Sequence, residues 1–271
     1  MNNLVSIIIS VYNGDSAIFL KESITSIINQ SYKNIEIILI GDGVSDSDLK
    51  LTLDNLINQH KNLIHYFPQD VNKGLASCMN QAISLSKGDF LARIDADDIM
   101  HESRIEIQLE FLQKNHNIDI VGSWIKEFNV KSGYEKLVKF PICNAEMRKL
   151  FGKRNPLAHP SVMMRKSFFN KAGVYPLGTN TDEDTMLWLN GFLNECVFAN
   201  IPLPLTEMRV SDDFFGRRSG MTKARQDFMN RHLVIKQLAL SRKNYLYAFA
   251  RFILQITPSS MLKRFAYHNL R

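Results

Sequence analysis

The residues best suited to chemistry are acidic and lie in two short runs. Asp95-Ala96-Asp97-Asp98 places three carboxylates within four positions, directly after the apolar run Phe90 to Ile94. Carboxylates this close repel one another, and an apolar strand end gives them little solvent relief, so a bound hard cation is a natural neutraliser. Alternation along an extended segment puts Asp95 and Asp97 on one side. Mg2+ or Mn2+ held by one or two such groups keeps positions open for substrate phosphate. The competing explanation is an acidic helix start, with Asp97 or Asp98 capping the helix that follows. The second run, Asp182-Glu183-Asp184, precedes the apolar Leu187 and Trp188. It reads either as a capping box or as a general base, whose proton affinity its acidic neighbours and the helix N-terminus push in opposite directions.

Other chemistries find less support. Gly41-Asp42-Gly43 invites a dinucleotide fingerprint, but Asp46 stands where the third glycine belongs, and no P-loop is present. A nucleotide would therefore rest on carboxylates and main chain, with metal on its phosphates. No G-x-S-x-G elbow, His-Glu-x-x-His or Cys/His metal spacing occurs among seven histidines and three cysteines. His159, between Pro156 and Pro160 in a polar loop, reads as structural or substrate-orienting rather than catalytic.

These residues must be positioned by the elements around them. Strand-like runs at Val5–Val11, Ile35–Ile40, Leu63–Phe67 and Phe90–Ile94 alternate with helical patterns at Ile18–Ile28, Leu49–Ile57 and Leu75–Leu85. That alternation predicts a parallel sheet covered on both faces by right-handed crossovers. In such sheets ligands bind at the strand carboxyl ends, where strand order reverses. The polar residues there are Tyr12-Asn13-Gly14, Gly41-Asp42-Gly43, Asn72-Lys73-Gly74 and the Asp95 run, all able to line one crevice. Beyond residue 100 the pattern loosens. It predicts a helix at Ser103–Asn115, a strand at Ile118–Phe128 closed into a hairpin by a turn at Lys131–Gly133, and a helix at Asn144–Phe151. A loop at Gly173–Asn180, a helix at Glu183–Leu193, an extended Cys196–Val210 and a helix at Met221–Leu240 follow.

Composition sets the outer bounds. The chain has 271 residues, 45% hydrophobic and 22% charged, enough for a real core and incompatible with disorder or a disulfide scaffold. The scattered Cys78, Cys143 and Cys196 suit a reducing cytosol. No targeting peptide or membrane span is apparent. Of the net charge of +6, the tail holds more than the whole: residues 214–271 carry 12 Lys and Arg against one acid. Such a basic segment seeks phosphate, on nucleic acid or on an anionic membrane.

Taken in order, the motifs resemble the family-2 glycosyltransferases with the GT-A fold. The matching stretches are Val5 to Asn13, Glu36 to Gly43, Asn72 to Ala76 with Asn80, Gly88 to Asp98 with Arg104 and Gln108, His159 to Met163, Glu183-Asp184 before Leu187-Trp188, and Arg209-Val210. The resemblance implies a mostly parallel central sheet flanked by helices. It implies a GT-A domain over 1–215, with a nucleotide-binding half (1–100) and an acceptor-binding half (101–215), followed by a basic amphipathic helical extension over 216–271. It further implies an inverting, Mn2+- or Mg2+-dependent transfer of a hexose from a UDP-sugar. Carried over by position, Val11, Tyr12, Asn13 and Asp42 would surround the uracil, Asp95 the ribose and metal, and Asp97 the metal, with Lys73 and Arg93 also at the nucleotide-sugar. Asp184 would be the base, Glu183 its orienting neighbour or an acceptor contact, and His159 and Arg209 ligands of acceptor or diphosphate.

Two positions depart from the family's pattern: Ser10 where proline is usual, and Gly41 where a second aspartate is usual. Short members with this acidic motif resemble enzymes building O-antigen or capsule units on polyprenyl diphosphate, which implies a lipid-diphosphate-linked HexNAc acceptor and a peripheral place at the cytoplasmic face of a bacterial inner membrane. The tail suits that setting. Tyr245, Phe249, Phe252, Ile253 and Ile256 can share a face edged by Arg242, Lys243, Arg251, Lys263 and Arg264, although a helix packed on the domain with a basic rim explains the same pattern. No recognition motif supports nucleic acid as partner. A different acceptor, a sugar nucleotidyltransferase and a non-catalytic nucleotide-sugar-binding protein are the competing functions.

Overall fold

The structure is a computed structural model that describes residues 3–178, 182–211 and 220–257. Strands β1 (Val5–Tyr12), β2 (Ile35–Asp42), β3 (Ile64–Gln69) and β4 (Phe90–Arg93) alternate with helices α1 (Ala17–Ile28), α2 (Ser47–Gln59) and α3 (Leu75–Leu85). β1 is almost entirely buried, because its β-branched residues pack into helices on both sheet faces. The order β3-β2-β1-β4 is parallel throughout and reverses beside β1. The strand carboxyl ends at Tyr12 and Arg93 therefore flank the crevice expected of a doubly wound sheet.

The other half is built differently. β5 (Ile99–Met100) and α4 (Arg104–Lys114) lead into β6 (Ile120–Asn129), which forms the expected hairpin with β7 (Tyr134–Val138). After α5 (Asn144–Phe151) and a 3-10 turn at His159–Ser161, β8 (Met163–Arg165) inserts antiparallel between β4 and β6. α6 (Phe168–Ala172) and α7 (Glu183–Leu193) precede β9 (Phe198–Arg209), which runs parallel to β6 and pairs antiparallel with β5. The pairing of β6 with β9 shifts register beside Trp124, where Pro204 breaks the ladder. A three-residue β8 and a two-residue β5 are too short to show a period, so sequence pattern passed over both.

The chain beyond residue 219 packs onto this body. α8 (Met221–Gln237; the helix predicted to Leu240 ends three residues sooner) lies against α7 and against α9 (Asn244–Ile256). Asp227 pairs with Arg251 at 2.8 Å, the rings of Phe228 and Phe252 meet edge-on, and Tyr245 reaches His232. Tyr245 and Phe252, grouped by sequence with an outward apolar face, thus turn toward α8. Leu246, Phe249 and Ile253 remain as the exposed stripe. Lys263 and Arg264 lie outside the described residues, as do the last two residues of the loop expected at Gly173–Asn180.

Candidate active site

The acid run after β4 caps no helix. α4 begins at Arg104 with Ser103 before it, and the Asp95 segment crosses to β5 instead. Three arginines hold it in place. Arg93, buried at the end of β4, grips Asp95 with both terminal nitrogens, Nη1 donating to Oδ2 at 2.8 Å and Nη2 to Oδ1. Arg104, also buried, donates to the carbonyls of Arg93, Val162 and Pro160 and so staples the strand end to the 3-10 turn. Gln108 accepts from Arg104 Nε and donates to the Ser161 carbonyl, which accounts for that motif position. Arg209, from the end of β9, gives its main-chain N–H to Asp98 Oδ1 at 2.8 Å and its Nε to the Asp97 carbonyl at 3.0 Å. Its guanidinium is sandwiched between Phe19 and Phe128 and paired with Glu22 at 2.6 Å.

This leaves Asp97 as the carboxylate with most to gain from a cation. Burial, and then the charge of Asp95, push its pKa up to about 6. Asp98 is buried with Oδ2 unpartnered, and its carboxyl is raised well above the ordinary range by burial and by Asp95 and Asp97. Asp15, in the turn after β1, joins the group: it accepts the Tyr12 N–H at 2.9 Å and is raised to about 7 by burial, with Asp97 and Asp95 adding to the effect. The all-oxygen, under-neutralised set fits a hard dication such as Mg2+ or Mn2+. Among the described residues no three His, Cys, Asp or Glu side chains form a cage, so diphosphate oxygens would have to complete the shell.

The nucleotide side differs from expectation in several positions. Val11 is fully buried in β1, with its side chain in the core, while Tyr12 is exposed beside it. Asn13 spends its amide on the loop after β2: Nδ2 donates to the Gly43 carbonyl and Ser45 Oγ, and Oδ1 accepts the N–H groups of Ser45 and Asp46. Asp42 is buried, and its two oxygens accept the N–H groups of Lys73 and Gly74 at 2.6 and 3.0 Å, anchoring the start of α3. Asn13 and Asp42 therefore shape the pocket rather than offering free groups to it, and Lys73 extends from the rim it helps form. Glycine at position 41 has a packing reason: a Cβ there would run into the Tyr66 hydroxyl.

The second acid run opens α7, and Asp182 does not cap it. Asp182 adopts a left-handed conformation with φ of 68°. Asp184 accepts from Asn155 Nδ2 at 2.9 Å and from the Thr185 N–H at 2.7 Å, and burial with the charges of Glu183 and Asp182 raises its pKa to about 6. Glu183 is raised mainly by burial, and it feels the charges of Arg93 and Asp95, so the two acid runs share one electrostatic neighbourhood. His159 packs against the ring side chains of the fold. Its Nε2 is hydrogen bonded to the Tyr175 hydroxyl at 2.8 Å, its ring meets Trp188 edge-on, and burial beside Arg93 lowers its pKa far enough to keep it neutral. Arg209 likewise clamps the acid run. Asn80 explains its motif position by bonding both main-chain groups of Tyr175.

Asp15, Tyr175 and Asn155 were not singled out as site residues from sequence. Asp15 carried a signal, being an acid one residue beyond the polar turn after β1; the other two are brought in only by the tertiary fold.

The profile of glycosyl transferase family 2 matches residues 6–173. An Escherichia coli UDP-Gal:alpha-D-GlcNAc-diphosphoundecaprenol beta-1,3-galactosyltransferase is 28% identical over 256 residues, 94% of this chain and 92% of that one. The amylovoran biosynthesis glycosyltransferase AmsE of Erwinia amylovora is 27% identical over 262 residues, covering 96% and 97%. Among solved structures, the mannosyltransferase PcManGT of Pyrobaculum calidifontis, in complex with GDP-Man and Mn2+, superposes with a TM-score of 0.66 at 14% identity, covering 98% of this chain and 80% of that one. An acid run at the sheet's reversal point, on a GT-A fold and under a family profile that spans most of the chain, makes this chain a glycosyltransferase belonging to glycosyl transferase family 2.

Proposed function

We propose that the protein transfers a hexose, glucose or galactose, from a UDP-sugar to a polyprenyl-diphosphate-linked HexNAc with inversion, in O-antigen or other surface polysaccharide synthesis. The observation that carries the reading is the acid run at the carboxyl end of β4, beside the point where strand order reverses, with Arg93 gripping Asp95 there. The acceptor and donor classes are supported by the E. coli relative.

The chain's own residues then divide the work. Residues 1–100 cradle the nucleotide: main chain at Val11, the Tyr12 ring and the pocket wall braced by Asn13 and Asp42 face the base, and Lys73 stands at the rim. Asp95, fixed by Arg93, faces the ribose, and Asp97 would hold Mn2+ or Mg2+. Such a cation, when bound, supplies Lewis-acid neutralisation of the charge that grows on the departing diphosphate. From residues 101–215, Asp184 takes the proton of the acceptor hydroxyl as that oxygen bonds to the anomeric carbon, while the bond to the diphosphate oxygen breaks on the opposite face. A carboxyl with a pKa of about 6 is ionised at neutral pH yet basic enough for this step. Glu183 lines the same opening toward the acceptor.

Among the described residues no helix is long and apolar enough to cross a membrane. The exposed Leu246, Phe249 and Ile253, spaced along one face of α9 with Lys243 at its start, suit an anionic bilayer surface and support a peripheral place, in our reading at the cytoplasmic face. The test is a screen of nucleotide sugars with Mn2+ against a synthetic HexNAc-diphosphate-lipid. Transfer from UDP-galactose or UDP-glucose supports the reading, whereas turnover confined to a guanosine- or thymidine-linked donor would overturn it.

A further inference from the structure

The C-terminal helices reach the catalytic acids. Arg231 of α8 is 3% exposed. Its Nη1 donates to the Phe151 carbonyl at the end of α5 at 2.6 Å, and its Nη2 lies 3.5 Å from Asn155 Oδ1. Asn155 Oδ1 also accepts from Thr185 Oγ1 at 3.0 Å, and its amide nitrogen donates to Asp184 Oδ2 at 2.9 Å. The two donors on Oδ1 fix which way the amide points, so Nδ2 must face the carboxylate. One residue earlier, Asn230 donates to Asp182 Oδ2 at 3.1 Å, holding the left-handed residue that starts α7, and Gln226 in turn donates to Asn230 Oδ1. α9 presses on the same segment, since a Cβ at Gly152 would meet the Asn244 side chain at 2.6 Å.

We infer that Asn155 and Arg231 are positioning residues for Asp184: α8 orients the Asn155 amide, and Asn155 aims and stabilises the carboxylate that takes the acceptor's proton. The inference rests on the proposed role of Asp184 and deepens it, since it makes residues beyond 219 part of the transferase site. A buried arginine beside acids could be structural alone. What argues otherwise is the chain of contacts through Asn155, which ends on Oδ2 of Asp184, the carboxylate proposed to take the acceptor's proton. The charged or titratable groups facing Asp184 are Glu183 and Asp182 on its own element, Arg231 on α8 and Tyr175 after α6. Arg231, though lowered to about 10 by burial, stays cationic through the neutral range and favours the ionised base.

The experiment measures transfer with the full chain, using the UDP-sugar the wild type turns over, as a pH profile of kcat together with UDP binding in Mn2+. Asn155→Asp is nearly isosteric and sets a second carboxylate against Asp184, so the acid limb should move up by about one pH unit or more. Asn155→Ala should lower kcat about 10–100-fold with donor KM and UDP affinity within about twofold. Arg231→Gln should shift the limb in the same direction, and Arg231→Lys should restore part of the loss. If an Arg231 variant fails to fold, the two Asn155 variants, checked by thermal melting, still decide the matter. An unmoved acid limb in folded Asn155→Asp would overturn the inference. Undiminished transfer in Asp184→Asn would instead overturn the role of Asp184, so the two failures are told apart.

Discussion

The two acid runs look alike in sequence but are held by different means. Asp95, Asp97 and Asp98 are fixed from the sheet itself: Arg93 lies on the same strand end, Arg104 is on the next helix, and Arg209 comes from β9. Asp182, Glu183 and Asp184 are fixed from outside the sheet, by Asn155 in a loop and by Asn230 and Arg231 on α8. In the first run Arg93 is committed to Asp95, while burial and the neighbouring carboxylates raise Asp97 and Asp98, an arrangement that a bound cation would relieve. The second is arranged to tune one carboxylate, which is the condition for a base. Like clusters become unlike sites through their partners.

The largest expected effect comes from removing the tuned carboxylate. Asp184→Asn, which keeps shape and loses basicity, should reduce transfer about 10²–10⁴-fold. Next, Arg209→Ala should lower turnover about 10–100-fold with weaker dependence on Mn2+ concentration, because the side-chain hold on the Asp97 carbonyl and the pair with Glu22 are lost, while the main-chain bond to Asp98 stays. An Arg209→Ala enzyme of wild-type rate would mean that the acid run does not need its clamp. The pH profile separates the runs further. Asp184 must be ionised to accept a proton, so kcat should rise with pH and level off above its pKa of about 6. A flat profile between pH 5 and 8 would remove it as the titrating base.

A smaller effect distinguishes the outer face of α9 from its inner one. Leu246→Ser combined with Phe249→Ser should weaken sedimentation with anionic vesicles about tenfold or more and leave transfer to a soluble acceptor unchanged. Unchanged partition would leave α9 as a packing element. The smallest effect is on stability without metal. Because the folded pKa of Asp97 is raised above its ordinary value of 3.8 to about 6, its ionised form is disfavoured in the folded chain. The contribution of this one carboxyl to stability is whole below about pH 4 and is lost as pH rises through about 6. Asp97→Asn should thus raise the metal-free Tm at pH 7.5 by about 2–6 °C, and the gain should vanish near pH 4.

Sequence legibility follows the same division. The first half was readable because its strands are long, β-branched and buried on both faces, so strand and helix periods alternate cleanly from Val5 to Arg93. β8 and β5 have two or three residues and no period, and β9 joins β6 from far along the chain, Phe198 opposite Ile120, so neither sheet order nor direction shows in local pattern. Position alone also leaves local roles hidden: Asn13, Asp42, His159 and Arg209, whose motif places imply ligand contacts, also hold a loop, a ring or the acid run. Asn155 and Arg231 carried no spacing signal, because the residues that bring them together are 76 apart in the chain.

The central claim is that one acid run holds the donor with its metal and the other performs proton transfer. Calorimetric binding of UDP in Mn2+ to Asp97→Ala and Asp184→Asn tests it in a single comparison. The predicted result is binding lost in Asp97→Ala and retained within about twofold in Asp184→Asn, with transfer abolished in both. Equal loss of UDP affinity in the two variants would contradict the division of labour.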